Sequence, residues 1–272
     1  SRGESRRYAW DFDDHYDLFL SHGGGPLERL TTAPGYDAEG AFSPDGRTIV
    51  FASNRHAYGA ALSAEERERL AEDPSFFIDI YLLDVASGET HRLTHSPGYD
   101  GGPFFSPDGR RIVWRHFSED GARAEIHSIG VDGRDEKILT RLGVMSWAPF
   151  FHPSGDYVIF TTNLHGYDDF ELYLVDAEGL RKPVRVTKHA GFDGLPVFSR
   201  DGNRLLWTSN RTPDGRSQLF LAGWDDAAAR RALGLTPATA YPAAALPRAT
   251  DPAIRAADLA SHVEVLTDPQ ME

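Results

Sequence analysis

Apolar and polar residues alternate along this chain in short runs, such as Thr48-Ile49-Val50-Phe51-Ala52-Ser53 and Arg111-Ile112-Val113-Trp114-Arg115, cut by glycine-bearing turns. A period of two, rich in β-branched and aromatic residues, predicts strands, because alternate side chains face opposite sides of a sheet. Each run follows one recurring phrase. It reads Phe42-Ser43-Pro44-Asp45-Gly46-Arg47, Phe105-Ser106-Pro107-Asp108-Gly109-Arg110, Phe151-His152-Pro153-Ser154-Gly155-Asp156 and Phe198-Ser199-Arg200-Asp201-Gly202-Asn203, in steps of 63, 46 and 47 residues. Proline presets φ, aspartate caps the turn and glycine tolerates positive φ, so each phrase predicts a tight hairpin between a first and a second strand.

Third strands follow at Asp79–Asp84, Glu125–Ile129, Glu171–Asp176 and Gln218–Leu221, and fourth strands at Arg92–Thr94, Ile138–Thr140 and Arg185–Thr187. A threonine closes each fourth strand, at 31, 94, 140 and 187, always 11 residues before the next phenylalanine. Before the first turn, Asp17–Leu20 and Glu28–Thr31 match the outer half of a further unit, bringing the expected total to 17 strands. Four-stranded antiparallel units repeating at this period predict an all-β fold, a β-propeller. Four recognisable blades begin near residues 38, 101, 147 and 194, and a partial N-terminal blade covers 8–32. The long first step is explained by a helix-forming insertion at Ala61–Ala71, opened by a Ser63/Glu66 capping box.

The stretch from Tyr99 to Thr140, which begins YDGGPFFSPDGRRIVW, resembles the blade repeat of TolB-like propellers, and the likeness keeps register from Asp17 to about Trp224. Copy three departs from it with Ser146, where the others have Asp37, Asp100 and Asp193, and with Ser154 in its turn; copy four has Arg200 in place of proline. The resemblance implies a non-catalytic module of a periplasmic or secreted bacterial protein that binds protein or peptide. Because propellers of this kind commonly have six blades, the unmatched strand phases at the two ends are expected of a truncated six-bladed ring. Residues 225–257, rich in Ala and Pro after a short helical run at Asp226–Leu233, read as a linker. Residues 258–272 place Leu259, Val263 and Leu266 on one helical face, and the tail IRAADLASHVEVLTDPQME resembles the opening helix of bacterial zinc-dependent aminopeptidase domains. That likeness implies a parent hydrolase whose zinc is held further downstream. No position of this chain corresponds to that family's zinc ligands. The alternatives are a free-standing periplasmic interaction protein of the TolB kind, and a metal-dependent enzyme centred on the channel.

Composition narrows the partners. Across 272 residues the formal charge is −13, the reverse of what a phosphate backbone selects, so nucleic acid is not an expected partner. There is no cysteine, hence neither disulfide nor thiolate site. No run approaches the ~18 apolar residues of a membrane span. Neither a Gly-x-Ser-x-Gly elbow nor a His-Glu-x-x-His pair occurs, and no cofactor is expected in this chain. The candidate binding residues are Asp37, Asp100 and Asp193, each following an aromatic residue at the head of its blade. Either they ring one mouth of the channel and draw a cation or a peptide amino terminus, or each caps its own turn.

Overall fold

The computed structural model describes residues 15–237 except Gly23 and Ala60. Seventeen strands and three α-helices are present among them. A hairpin, β1 (Phe19–Ser21) and β2 (Leu27–Arg29), comes first. Blade I contains β3 (Asp37–Phe42), β4 (Thr48–Ser53), β5 (Asp79–Asp84) and β6 (Thr90–Arg92). Blade II contains β7 (Asp100–Phe105), β8 (Arg111–Phe117), β9 (Ala124–Gly130) and β10 (Lys137–Ile138). In blade III the strands are β11 (Ser146–Phe151), β12 (Tyr157–Thr162), β13 (Glu171–Asp176) and β14 (Val184–Arg185). Blade IV has three, β15 (Asp193–Phe198), β16 (Arg204–Ser209) and β17 (Gln218–Gly223). Every sheet is antiparallel, with its strands in chain order.

The Pro-Asp-Gly turns form as their chemistry requires. In the first, Asp45 Oδ1 accepts from Ser43 Oγ and from Arg47 N, while Gly46 takes φ 72°. Each first strand carries a bulge, with a left-handed residue at Glu39, Gly102, Ala148 or Leu195. The first strands β3, β7, β11 and β15 neighbour one another in succession, so they form the inner edge of the array.

The core lies between blades, not within them. Val50 and Ile80 of blade I meet Ile112, Trp114 and Ile129 of blade II. Val113 and Ile126 meet Val158, Phe160 and Val175 of blade III, and Tyr157, Ile159 and Leu172 meet Phe198, Leu205 and Trp207 of blade IV. Leu18 and Leu30, flanking the β1–β2 hairpin, pack on Ile49, Phe51 and Leu83 in the same way. A backbone bond repeats across three of these seams: the amide at the head of a first strand donates to the carbonyl just before the preceding third strand, as Asp37 to Tyr16, Asp100 to Ile78 and Asp193 to Phe170, while between blades II and III Ala124 N donates to Val144 O instead.

Two short helices, α1 (Arg55–Gly59) and α2 (Ala64–Glu72), occupy the β4–β5 connection, and both hydrogen bonds of the Ser63/Glu66 capping box are made. The third, α3 (Asp226–Leu233), is the short helical run expected at the head of the linker. It buries Ala229 and Leu233 against Tyr157, Leu172 and Trp207, is capped by Asp225, and stops at Gly234 in the left-handed region. Residues 8–14 of the partial N-terminal blade, the rest of the linker and the helix expected from residue 258 onwards all lie outside the described residues.

Candidate functional site

The alternation of strand direction brings the starts of first and third strands and the ends of second strands to one end of the array, leaving the Pro-Asp-Gly turns at the other. Asp37, Asp100 and Asp193 all stand at this carboxylate end, and they are 1%, 0% and 0% exposed. A buried carboxylate needs donors, and each finds them within its own blade. Asp37 accepts from Ser53 Oγ at 2.6 Å and from Arg55 Nη2 at 2.5 Å. Asp193 accepts from Trp207 Nε1 at 3.2 Å and from Arg211 Nη2 at 2.6 Å. The oxygens thus find their partners within the same blade. Both guanidiniums also lie over aromatic rings, Arg55 over Phe51 and Tyr81, Arg211 over Trp207 and Phe220. These arginines escaped the sequence reading, although Ser53-Asn54-Arg55 and Ser209-Asn210-Arg211 recur in the same phase.

A second clasp opens the third strands. Thr94 Oγ1 accepts from Ile80 N at 2.9 Å and reaches Asp79; Thr140 does the same with Ile126 N and Glu125, and Thr31 with Leu18 N and Asp17. Arg29, Arg92 and Arg185 pair with Asp17, Asp79 and Glu171. The constant threonine is therefore a buried acceptor for a strand amide that has no other place to go. Thr94→Val keeps the shape but strands the Ile80 amide, so chemical denaturation should show a loss of about 1–3 kcal/mol.

Blades I and II meet over two buried carboxylates. Asp79 Oδ2 takes Arg92 Nη2 at 2.6 Å and lies 3.4 Å from His56 Nδ1. Asp100 Oδ1 takes Trp114 Nε1 at 2.9 Å and His116 Nδ1 at 2.7 Å, while its Oδ2 has no hydrogen-bond partner. Burial, helped by the charge of Asp100, pushes the Asp79 carboxyl up to about 8 although Arg92 pulls it down. The ion-pair geometry alone would suggest the opposite; burial decides, because the enclosed carboxylate loses more solvation than Arg92 returns, and the like charge of Asp100 adds to the cost. Burial and the charge of Arg92 lower His56 to about 4. Burial would lower His116 too, but its bond to Asp100 and the nearby acids raise it.

On the inner edge, the bulge at Glu39 (φ 56°) aims its carboxylate across the seam. Glu39 accepts from Arg115 Nη2 at 2.6 Å, Tyr99 Oη at 2.8 Å and Gly102 N at 2.8 Å. A side chain at Gly102 would meet Arg115, and one at Gly101 would lie 2.5 Å from the Tyr99 ring.

Blade III differs from the others at this end. Where they read Tyr36-Asp37-Ala38, Tyr99-Asp100-Gly101 and Phe192-Asp193-Gly194, it reads Met145-Ser146-Trp147, and Leu164 stands in phase with Arg55 and Arg211. Ser146 makes a 3.3 Å bond to Thr162 Oγ1 in place of the clamp. Trp147 packs edge-on against Phe170 and Phe192. Phe117, Met145, Trp147 and Phe170 enclose a small apolar pocket, open on one side. Among the described residues no group of three or more His, Asp or Glu side chains is placed to hold a metal ion, and no helix is long and apolar enough to cross a membrane.

No protein-family profile matches the chain. TolB from Acinetobacter baumannii superposes over 77% of this chain and 47% of its own, with a TM-score of 0.60 at 22% identity. The fold is a TolB-like β-propeller. In sequence, the chain is 30% identical over 210 residues to a TolB homolog of Chlorobium luteolum, covering 75% of this chain and 42% of that protein. It is 33% identical over 198 residues to an uncharacterized protein of Agrobacterium fabrum, covering 70% and 60%. A shorter match, 34% identical over 92 residues, joins 34% of the chain to 12% of dipeptidyl-peptidase 5 of Porphyromonas gingivalis. The chain thus spans less than two thirds of the length of each of these relatives.

Proposed function

We propose that this TolB-like propeller is a non-catalytic module that binds a protein or peptide through its carboxylate end, in a periplasmic or secreted bacterial protein. The observation that carries the reading is the contrast at that end. Its buried charges are consumed by the fold, whereas blade III offers an apolar surface with an open pocket. The fuller form makes the module the N-terminal accessory domain of a zinc aminopeptidase. Support for that comes from the C-terminal tail and from the short likeness to a peptidase. In the same setting a six-bladed ring would cover the apolar faces that blade IV and the first hairpin expose, with Leu219 and Leu221 67% and 60% accessible and Phe19 and Leu27 likewise open.

Site-specific photocrosslinking tests the binding reading. A benzophenone side chain at Tyr167, 71% exposed at the carboxylate end, should yield a discrete adduct in producing cells. The same group at Leu180, 84% exposed in the β13–β14 turn at the opposite end, should not. Equal labelling from both ends, or none, would overturn it.

A further inference from the structure

We infer that α3 and the hairpin turn of blade III form a fixed joint, so that the chain beyond Pro237 leaves the propeller from the turn end, away from the carboxylate end. The repeat breaks in blade III at this end too. In their turns, blades I, II and IV carry Ser43, Ser106 and Ser199, followed four residues later by Arg47-Thr48, Arg110-Arg111 and Asn203-Arg204. Blade III has His152 and then Asp156-Tyr157 at these places. The turn itself does not require the change, since Gly155 N donates to His152 O at 2.8 Å much as Gly46 N donates to Ser43 O at 2.9 Å. Blade IV adds a further departure. The residue after its third strand is Trp224, where the other blades have Val85, Val131 and Ala177. A pattern kept for folding and broken at adjoining positions marks a second task for those positions.

These departures meet on α3. Tyr157 Oη donates to Asp226 Oδ1 at 2.8 Å and accepts from Trp224 Nε1 at 2.8 Å. His152 is buried and stacks on the Tyr157 ring at 4.5 Å between centroids, while Asp156 pairs with Arg230. Arg230, 5% exposed, also donates through Nε to Asp226 Oδ2 at 3.0 Å and through Nη1 to Thr236 O at 2.9 Å. One buried guanidinium therefore ties the blade III turn, the first residue of the helix and the chain past its end. Such a charge is tolerated out of water only while its partners stay in place, which holds the three segments in one geometry. Just past the helix, a Cβ at Gly234 would lie 2.8 Å from Arg181 Nη1, so the helix ends beside the β13–β14 turn. An isolated helix needs roughly 12–15 residues to be even marginally stable in water, and α3 has eight, so it depends on this seat. Residues 238–272 thus start from the turn end and leave the carboxylate end clear, whatever binds there.

The chain has no cysteine, so introduced pairs alone take spin labels. With one label at Thr236 and the other at Leu180 or at Tyr167, all three exposed, double electron–electron resonance on the full chain should give narrow distance distributions, shorter to Leu180 than to Tyr167. In hydrogen exchange, residues 229–235 should be protected along with the sheets. Asp156→Arg installs the residue that blades I and II carry at a half-exposed turn position, and sets it against Arg230. It should still melt cooperatively, yet broaden both distributions and speed exchange of residues 229–235 by at least about tenfold, the least expected from breaking a buried ion pair from one side. Tyr157→Phe removes only the oxygen shared by Asp226 and Trp224, and should speed the same amides while those of β12 stay as they were. Broad distributions in the unaltered chain, or a Thr236 label nearer to Tyr167, would overturn the joint. Amides of α3 indifferent to both variants would do the same, and if Asp156→Arg does not fold, Tyr157→Phe decides alone. The Tyr167 crosslink tests binding at the other end separately.

Discussion

Replacing Arg55 with methionine is expected to cost about 3–5 kcal/mol, the loss typical of breaking a buried ion pair from one side. Asp37 is essentially inaccessible, and Arg55 supplies two of its donors, Nη2 at 2.5 Å and Nε at 3.3 Å, the third being Ser53. Methionine fills much of the volume between Phe51 and Tyr81 but leaves a carboxylate that water cannot reach. Lysine should rescue little, since one ammonium cannot reproduce the fork or the stacking of the guanidinium. Denaturant unfolding of Arg55→Met, Asp37→Asn and the double variant measures the coupling. The double variant should recover much of the loss, because amide and thioether leave no buried charge. A single-variant loss under about 1 kcal/mol would show the pair to be ornamental.

The second large effect is on pH. The folded-state carboxyl of Asp79 lies near 8, far above that of an unfolded aspartate, so the native protein retains a proton that the unfolded chain releases. Stability from this group is present at low pH and disappears as pH rises through about 8, with a limiting slope of about 1.4 kcal/mol per pH unit. His116, also raised, acts in the same sense above the ordinary imidazole range. His56, held neutral down to about 4, acts oppositely, contributing above the ordinary imidazole range and failing on acidification. Tyr36 and Tyr81, pushed to about 12, enter only where unfolded tyrosine ionises. Thermal melts should therefore show a midpoint that falls between about pH 6 and pH 8 and levels off above, and Asp79→Asn should flatten that limb. An unchanged slope in the asparagine variant would place the sensitivity elsewhere.

How legible a feature was in the sequence depended on whether it was local and repeated. Pro44-Asp45-Gly46 closes its turn with atoms three residues apart, and Thr94 meets Ile80 in a register that every unit keeps, so turns, strands and phase could be read directly. The candidate aspartates were visible for the same reason, but their partners sit 18 residues on for Asp37 and Asp193 and 16 for Asp100. Only Ser-Asn-Arg at 53–55 and 209–211 signalled the arginine clamp. Glu39 and Arg115 are 76 residues apart and unique to one seam, which no period encodes. The pocket draws its walls from three separate stretches, and its trace in the sequence was the departure at Ser146. Helix α3 was legible as a short helical run at Asp226–Leu233, but its docking was not: burial of Ala229 and Leu233 comes from blades III and IV, which composition cannot foresee.

The backbone bond that Asp37, Asp100 and Asp193 make across their seams asks very little of its neighbour: one amide at the head of a strand and one carbonyl ahead of another. No side chain enters it, so the bond itself sets no condition on which residues meet there; matching between units is left to the apolar side chains packed between blades and, at one seam, to Glu39 and Arg115. Variation is then steered to places the junction ignores. The connection that holds α1 and α2 is such a place, having grown by more than a dozen residues while the strands on either side kept step. Engineers seeking to graft a loop, a tag or a sensing peptide have a natural port there.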